Sequence, residues 1–193
     1  MLTNDQILEN KEKFFKLLST LDFDMAKLAK YLDHIDYFTK PATIQYNGAY
    51  SGGLCEYSLK LCHELGVLCN AYFPGRYSEE DVIKVALFKD MYKAEMYVKC
   101  LKNVKNDESG QWESVESYKI KEGHDRPTFG STGFSSFMIA KNFLTFSDEQ
   151  IEAMCNSCQN SSCIPDIYEI YKSFPLVSLT RMADMVVSYL GDN

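Results

Sequence analysis

The stretch Gly52-Gly53-Leu54-Cys55-Glu56-Tyr57-Ser58-Leu59-Lys60-Leu61-Cys62-His63-Glu64-Leu65-Gly66-Val67-Leu68-Cys69-Asn70-Ala71-Tyr72 decides the fold class. Its apolar residues recur at helical spacing, and Pro74-Gly75 closes it, so it predicts a long helix over about 54–72. Cys55, Cys62 and Cys69 fall seven residues apart. That spacing keeps them on roughly one helix face, as small core residues. The preceding stretch, from Phe38 to Gly53, contains Pro41, Gly48, Gly52 and Gly53 and has no period, so it reads as a loop.

Working outward, the same periodicity gives more helices. Ile7, Phe14, Leu17, Leu18 and Leu21 mark a first one. Asp24 can cap a second, carrying Met25, Leu28, Ala29 and Leu32, with His34 placed to cap its last carbonyls. Ser78 with Glu79, Glu80 and Asp81 opens another, with acids in its first turn. Helices are also expected at about 135–144, at 147–157 behind a Ser147-x-x-Gln150 capping box, and at 164–190 broken at Pro175. Residues 98–104 and 112–120, about a turn at Asp107–Gly110, predict a small hairpin, and 123–133 a second glycine-containing loop. No repeat, low-complexity tract or linker interrupts the chain. The expectation is an all-α protein: a single helical domain over 1–193 with a small β-hairpin insertion.

Composition narrows the function classes. The 193 residues carry 20 basic and 27 acidic side chains, a formal charge of −7. That excludes a sequence-independent binder of DNA or RNA, which needs a basic face, yet leaves room for a small anion in a local pocket. Aromatics make up 13%, too many for a disordered chain. No run approaches a membrane span, and residues 1–13 are polar, so neither a membrane partner nor a signal peptide is expected. Seven cysteines in no regular framework fit a reducing, cytoplasmic setting.

Several motif segments then occur in order. They are Pro41-Ala42, Gly48-Ala49-Tyr50, Gly52-Gly53-Leu54 with Glu56-x-Ser58-Leu59, Lys89-Asp90-Met91-Tyr92-Lys93-Ala94 with Tyr97, and Trp112 and Tyr118. Pro127, Gly130-Ser131-x-Gly133-x-Ser135 and Ala183-Asp184-Met185 follow. Together, from about 38 to 190, they resemble the HD-domain metal-dependent phosphohydrolases, whose segments read His-Gly-Ala-Tyr-x-Gly-Gly-Leu-x-Glu-His-Ser-Leu, His-Asp-Leu-x-Lys-Ala…Tyr and Gly-His-Gly-x-x-Ser, with a closing Ala-Asp-Met. The resemblance implies an HD-type helical domain. It also implies one or two divalent metals held by His, a His-Asp pair and a distant Asp.

The metal ligands are where the sequence departs from the family. The motif histidines fall on Asn47, Tyr57, Lys89 and Ser131, and the last near Ser157; Asp90 and Asp184 alone remain. The chain's three histidines, His34, His63 and His124, stand at none of these positions. A protonated lysine has three donors and no lone pair, so Lys89 is no metal ligand. It can instead replace the metal's charge, because two buried carboxylates with no cation repel and shift upward in pKa. The expected site is a metal-free pocket around a Lys89–Asp90–Asp184 cluster, with Lys89 pointing to solvent as the plain alternative.

The resemblance places Lys93 where the family contacts substrate phosphate. Four residues from Lys89, it would share a helix face with it beside the glycine-rich loop; a solvated lysine face explains the pair as well. Tyr46, Tyr50, Tyr57, Tyr92 and Tyr97 offer rings and hydroxyls to a nucleotide, or simply pack. The expected ligand-binding residues are Asn47, Tyr50, Tyr57, Lys89, Asp90, Lys93, Ser131 and Asp184, with no metal, no cofactor and no catalytic residue.

The function so implied is a pseudoenzyme that binds, and sequesters, a nucleotide or cyclic nucleotide signal, a use suited to a mobile-element or viral protein, alone or as a homo-oligomer. Two alternatives stay open. One is a divergent phosphohydrolase using Asp90, Asp184, Glu56 and His124. The other is an interaction module that keeps only the fold. Cys155-x-x-Cys158 with Cys163 lacks a fourth zinc ligand and a strand–helix redox context. His124-Asp125-Arg126 reads as a solvated loop tip or a lid over a ligand phosphate. No P-loop and no Gly-x-Ser-x-Gly elbow is present.

Overall fold

The computed structural model describes residues 1–45, 47–106, 109–122, 130–157 and 167–190. Helix α1 (Asn4–Leu18) starts at a Thr3/Gln6 capping box and buries Phe14 and Leu18. It ends three residues before Leu21, because the Ser19 and Thr20 hydroxyls donate to the Lys16 and Leu17 carbonyls. Helix α2 (Met25–His34) is capped by Asp24, whose carboxylate accepts from Lys27 N–H, and buries Leu28 and Leu32. The Ile35 and Asp36 N–H groups, donating to Tyr31 and Asp33 carbonyls, close its far end, the role expected of His34. A 3₁₀ turn (Tyr37–Thr39) leads into the glycine loop.

That loop is folded on itself. Ala42 N–H donates to the Gly48 carbonyl at 2.9 Å, and Leu54 N–H to the Lys40 carbonyl at 3.0 Å. Gly48 has φ +85°, and a Cβ on Gly53 would lie 2.3 Å from the Gly48 oxygen. The glycines are there for close backbone approach. The Gly53 and Leu54 N–H groups at the start of α3 (Gly53–Tyr72) already serve Tyr50 and Lys40 carbonyls, so this is not a phosphate cradle.

Helix α3 packs against α1, α4 (Glu79–Phe88) and α9 (Pro175–Tyr189). It buries Leu54, Leu61 and Leu65 together with the expected cysteine row, Cys55, Cys62 and Cys69. Helix α4 begins at a Ser78/Asp81 capping box and buries every residue from Val82 to Phe88. It stops at Lys89. From there Met91, Lys93 and Ala94 N–H groups donate three residues back, to Phe88, Asp90 and Met91 carbonyls. The short helix α5 (Lys93–Met96) then runs into strand β1 (Tyr97–Lys105), which pairs antiparallel with β2 (Trp112–Ile120), Tyr97 opposite Ile120 and Lys105 opposite Trp112.

The all-α class expected from the sequence is therefore corrected. The chain is mostly helical, but each strand of its two-stranded antiparallel sheet is nine residues long. The hairpin also extends directly from the site-bearing segment.

Helix α6 (Thr132–Ala140) starts three residues earlier than expected, because Ser131 caps it by accepting from Phe134 N–H. It runs so close to α7 (Asp148–Asn156) that a Cβ on Gly133 would meet the Met154 oxygen at 1.9 Å. The Ser147/Gln150 box at the start of α7 is present as expected. Helices α8 (Ile167–Ser173) and α9, with Pro175 in its first turn, are the last of the described elements. One buried cluster, from Phe14 through Leu61 and Phe88 to Val187, draws on α1, α3, α4, α7 and α9.

Candidate functional site

The site begins with an anomaly in α4. A helix whose residues 82–88 are all buried ends on a lysine that is itself 0% exposed, followed by a fully buried aspartate. Buried charges persist only in pairs. Lys89 Nζ stands 2.8 Å from Asp90 Oδ2 and 3.0 Å from Asp184 Oδ1, bridging the end of α4 to the middle of α9. Lys93 Nζ, 21% exposed, lies 3.1 Å from Asp90 Oδ1. The Tyr57 hydroxyl, from α3, donates to the same Asp184 oxygen. Its ring lies under both ammonium groups, 5.7 Å from Lys89 Nζ and 5.3 Å from Lys93 Nζ.

Electrostatics follow from this geometry. Burial alone pushes the Asp90 carboxyl up. The Lys89 and Lys93 charges outweigh it and hold that carboxyl well below the usual carboxylate range. Burial pushes the Tyr57 hydroxyl far above its ordinary value, and the Asp90 and Asp184 charges add to the rise against the pull of Lys89. The tyrosine therefore stays a neutral donor.

A cleft of about 480 Å³ opens beside the cluster, bordered by Asn47, Tyr57, Asp90, Lys93, Asp184 and the rim residue Tyr189. Of the residues expected from the sequence, Tyr57, Lys89, Asp90, Lys93 and Asp184 meet as one network. Lys89 points inward, not to solvent. It does not share a continuous helix face with Lys93, since α4 ends at Phe88 and a tight turn rotates Lys93 onto the other oxygen of Asp90.

The remaining expected residues lie around this network. Asn47 lines the cleft while its side-chain amide donates to the Ser188 carbonyl at 3.4 Å. The Tyr50 hydroxyl donates to Glu56 at 2.6 Å beside the Glu56–Lys60 ion pair, in a small crevice that shares Asn47, Tyr57 and Ser188 with the cleft. Ser131 is a cap whose hydroxyl donates to the Cys155 carbonyl at 3.4 Å, and its neighbour Thr132 lines the cleft instead. Tyr92 and Tyr97 are buried with Met96 in a small apolar cluster.

Tyr46, His124, Asp125, Arg126, Pro127, Cys158 and Cys163 lie outside the described residues. Thr43, Ser188 and Tyr189 were not anticipated. Ser188 and Tyr189 follow Asp184 by four and five positions on α9, a spacing that places them about one turn away.

The residues present do not fit the divalent metal that the resemblance implies. An ion shared by Asp90 and Asp184 would have to displace the Lys89 ammonium that bridges them. Among the described residues the other side chains on these two carboxylates are a tyrosine hydroxyl and a second ammonium, and no imidazole joins them. Among the described residues no group of three or more His, Cys, Asp or Glu side chains could hold a metal ion. Among them, too, no helix is long and apolar enough to cross a membrane.

A second cleft, of about 630 Å³, lies between α3 and the start of α4, with Cys62, His63, Cys69 and Tyr77 among its walls. Burial pushes the Cys62 thiol up to about 11 and the Cys69 thiol up to about 12. Both stay protonated near neutrality and carry no nucleophile for chemistry there. No family model, curated protein or solved structure matches this chain.

Proposed function

We propose that this protein is a degenerate relative of the HD phosphohydrolases that binds a nucleotide, without a metal, in the cleft beside Lys89. One observation carries the reading: the buried Lys89 ammonium bridges Asp90 and Asp184 at 2.8 and 3.0 Å, at the point where the resemblance would put a metal. A lysine there neutralises both carboxylates and offers no Lewis acid or activated water. The site is built to hold charge still. Among the described residues Lys93 is a cation on the cleft wall that suits a phosphate, and Tyr57 donates to Asp184. Tyr57 does not serve as a stacking face on its Lys89 and Lys93 side, where both cations already sit. The unbridged thiols Cys55, Cys62, Cys69 and Cys100 suit a reducing cytoplasm.

The test is calorimetric titration of the protein with mononucleotides and cyclic nucleotides in excess EDTA, followed by product analysis after incubation with Mn²⁺. Binding that EDTA leaves unchanged, with the nucleotide recovered intact, is the expected outcome. Silence across the panel, or turnover that appears with Mn²⁺, would overturn the proposal.

A further inference from the structure

The outer half of the hairpin has little to hold it. A two-stranded sheet alone is marginal in water, and three or more strands are needed for independent stability. Among the described residues β1 and β2 pair only with each other. Every residue from Leu101 to Lys105 and from Trp112 to Glu116 is exposed, so both faces of this half meet solvent. Large apolar side chains stand among them: Leu101 is 72% and Trp112 71% exposed, with Val104 and Val115 nearby. An exposed strand of this kind is a template for a further strand.

The two outer edges differ in charge. Strand β1 carries Lys99, Lys102 and Lys105 and no acid. Antiparallel pairing with a copy of itself about Lys102 would set Lys102 against Lys102 and Lys99 against Lys105. Like charges placed opposite each other repel, so the lysines guard this edge. Strand β2 reads Trp112-Glu113-Ser114-Val115-Glu116-Ser117-Tyr118-Lys119-Ile120. Reversed about Glu116, it complements itself. Glu113 meets Lys119 of a second copy, Lys119 meets that copy's Glu113, and Trp112 meets Ile120 at each end. The one like pair, Glu116 against Glu116, is offset by Lys99, whose ammonium lies 3.8 Å from the Glu116 carboxylate in each copy. Among the described residues no backbone hydrogen bond from another element reaches Trp112–Ile120. The charges that would pair are lightly engaged: Lys119 with exposed Glu122 at 3.3 Å, and Glu113 with the Asn106 amide at 2.7 Å.

We infer that β2 is a dimerisation strand, along which two copies of this chain pair antiparallel about a two-fold axis through Glu116 to form one four-stranded sheet. Two-fold pairing uses the same edge of both copies and is closed, so assembly stops at two. The inference is independent of the nucleotide reading.

The experiment is sedimentation velocity of the full chain over a dilution series, at about 0.15 M salt, where charges more than about 8 Å apart are screened but opposed side chains still interact. The chain is expected to pass from monomer to dimer as concentration rises. The emission of Trp112, the only tryptophan, should move to shorter wavelength over the same range as it is covered. Glu113→Lys and Lys119→Glu should each weaken the dimer by about tenfold or more, since each sets two like pairs across the axis. The double variant Glu113→Lys/Lys119→Glu restores both opposite-charge pairs and should restore the dimer. Glu116→Gln removes the central repulsion and should tighten it. A chain that stays monomeric at every concentration overturns the inference. So does a dimer that the single reversals leave unchanged or that the double reversal fails to restore, because its interface then lies elsewhere. All three positions are exposed, so the variants are expected to fold, and a melting curve on each confirms it.

Discussion

The two ends of α4 hold their polar groups in opposite ways. At its start, Ser78 and Asp81 form a capping box near the surface, and Gln150 Nε2 of the α7 box donates to Asp81 Oδ1 at 2.7 Å, tying one helix start to another. Neutral donors and one half-buried carboxylate share the work, each within a few residues of its partner apart from that one link. At its end, Lys89 and Asp90 are fully buried charges, and Lys89 reaches a partner, Asp184, almost a hundred residues away. The first arrangement is local and cheap to lose. The second is costly to break from one side only, because the partner left behind is a buried, unpaired charge. A chain that keeps such a cluster at the wall of a cleft has placed charge there where packing alone would be served by apolar residues.

The largest expected effect tests that contrast directly. Lys89→Met removes the bridge and leaves Asp90 with Lys93 alone of its two cations, and should cost about 3 kcal/mol of stability, the lower end of the range for a broken buried pair. Adding Asp90→Asn to Lys89→Met should recover part of the loss, since the buried charge that lost Lys89 is then gone. Denaturant unfolding of the three proteins checks it. If Lys89→Met unfolds at the wild-type midpoint, the ion pairs are not supporting the fold, and the proposal that Lys89 stands in for a metal's charge goes with them.

Acid separates the two ends next. Asp90 is held well below the ordinary carboxylate range by Lys89 and Lys93 against the opposing effect of burial. A depressed carboxylate stabilises the fold above its unfolded value, about 3.9, and that stabilisation is lost as pH falls through the folded value. Stability should therefore be level near neutrality and drop below about pH 4. Asp81 is also lowered, by its hydrogen bonds from Ser78 and Gln150 against its own burial, but it is only half-buried. The steepness of the acid limb should fall more in Asp90→Asn than in Asp81→Asn. Equal slopes in the two variants would place the titrating charge elsewhere.

The sequence made the two ends unequally legible. The Ser78 cap with acids in the first turn and the Ser147-x-x-Gln150 box are local patterns, and both stand where the sequence puts them, Asp81 in addition closing a box with Ser78. The link between them was not legible, because nothing local tells Gln150 which carboxylate to meet. At the other end, Lys89, Asp90, Lys93 and Asp184 could be named from the ordered motif segments, and they do converge.

What failed there was backbone detail. Lys89 and Lys93 were expected on one helical face, but α4 stops at Phe88 and the tight turn after it aims the two lysines at different oxygens of Asp90. Ser131 stands where a motif histidine would, and its hydroxyl also caps a helix start that the motif reading does not reveal. The hairpin was legible as two strands, but its nine-residue length, which moves the chain out of the all-α class, was not, since mostly exposed strands leave a weak alternation.

The smallest effect sharpens the comparison from the quiet side. Ser78→Ala removes one cap and should cost about 1 kcal/mol. For a chain of this size that lowers the melting temperature by about 2–4 °C. Gln150→Ala loses both its own box and the bond to Asp81, so it should cost somewhat more. Asp81 receives bonds from Ser78 and from Gln150, so the two deletions act on one carboxylate and should not be additive. A double-mutant cycle by thermal unfolding measures that coupling, expected at about 0.5 kcal/mol or more. Strict additivity would mean the two boxes stand side by side without supporting each other, and that α4 and α7 are joined by their apolar faces alone.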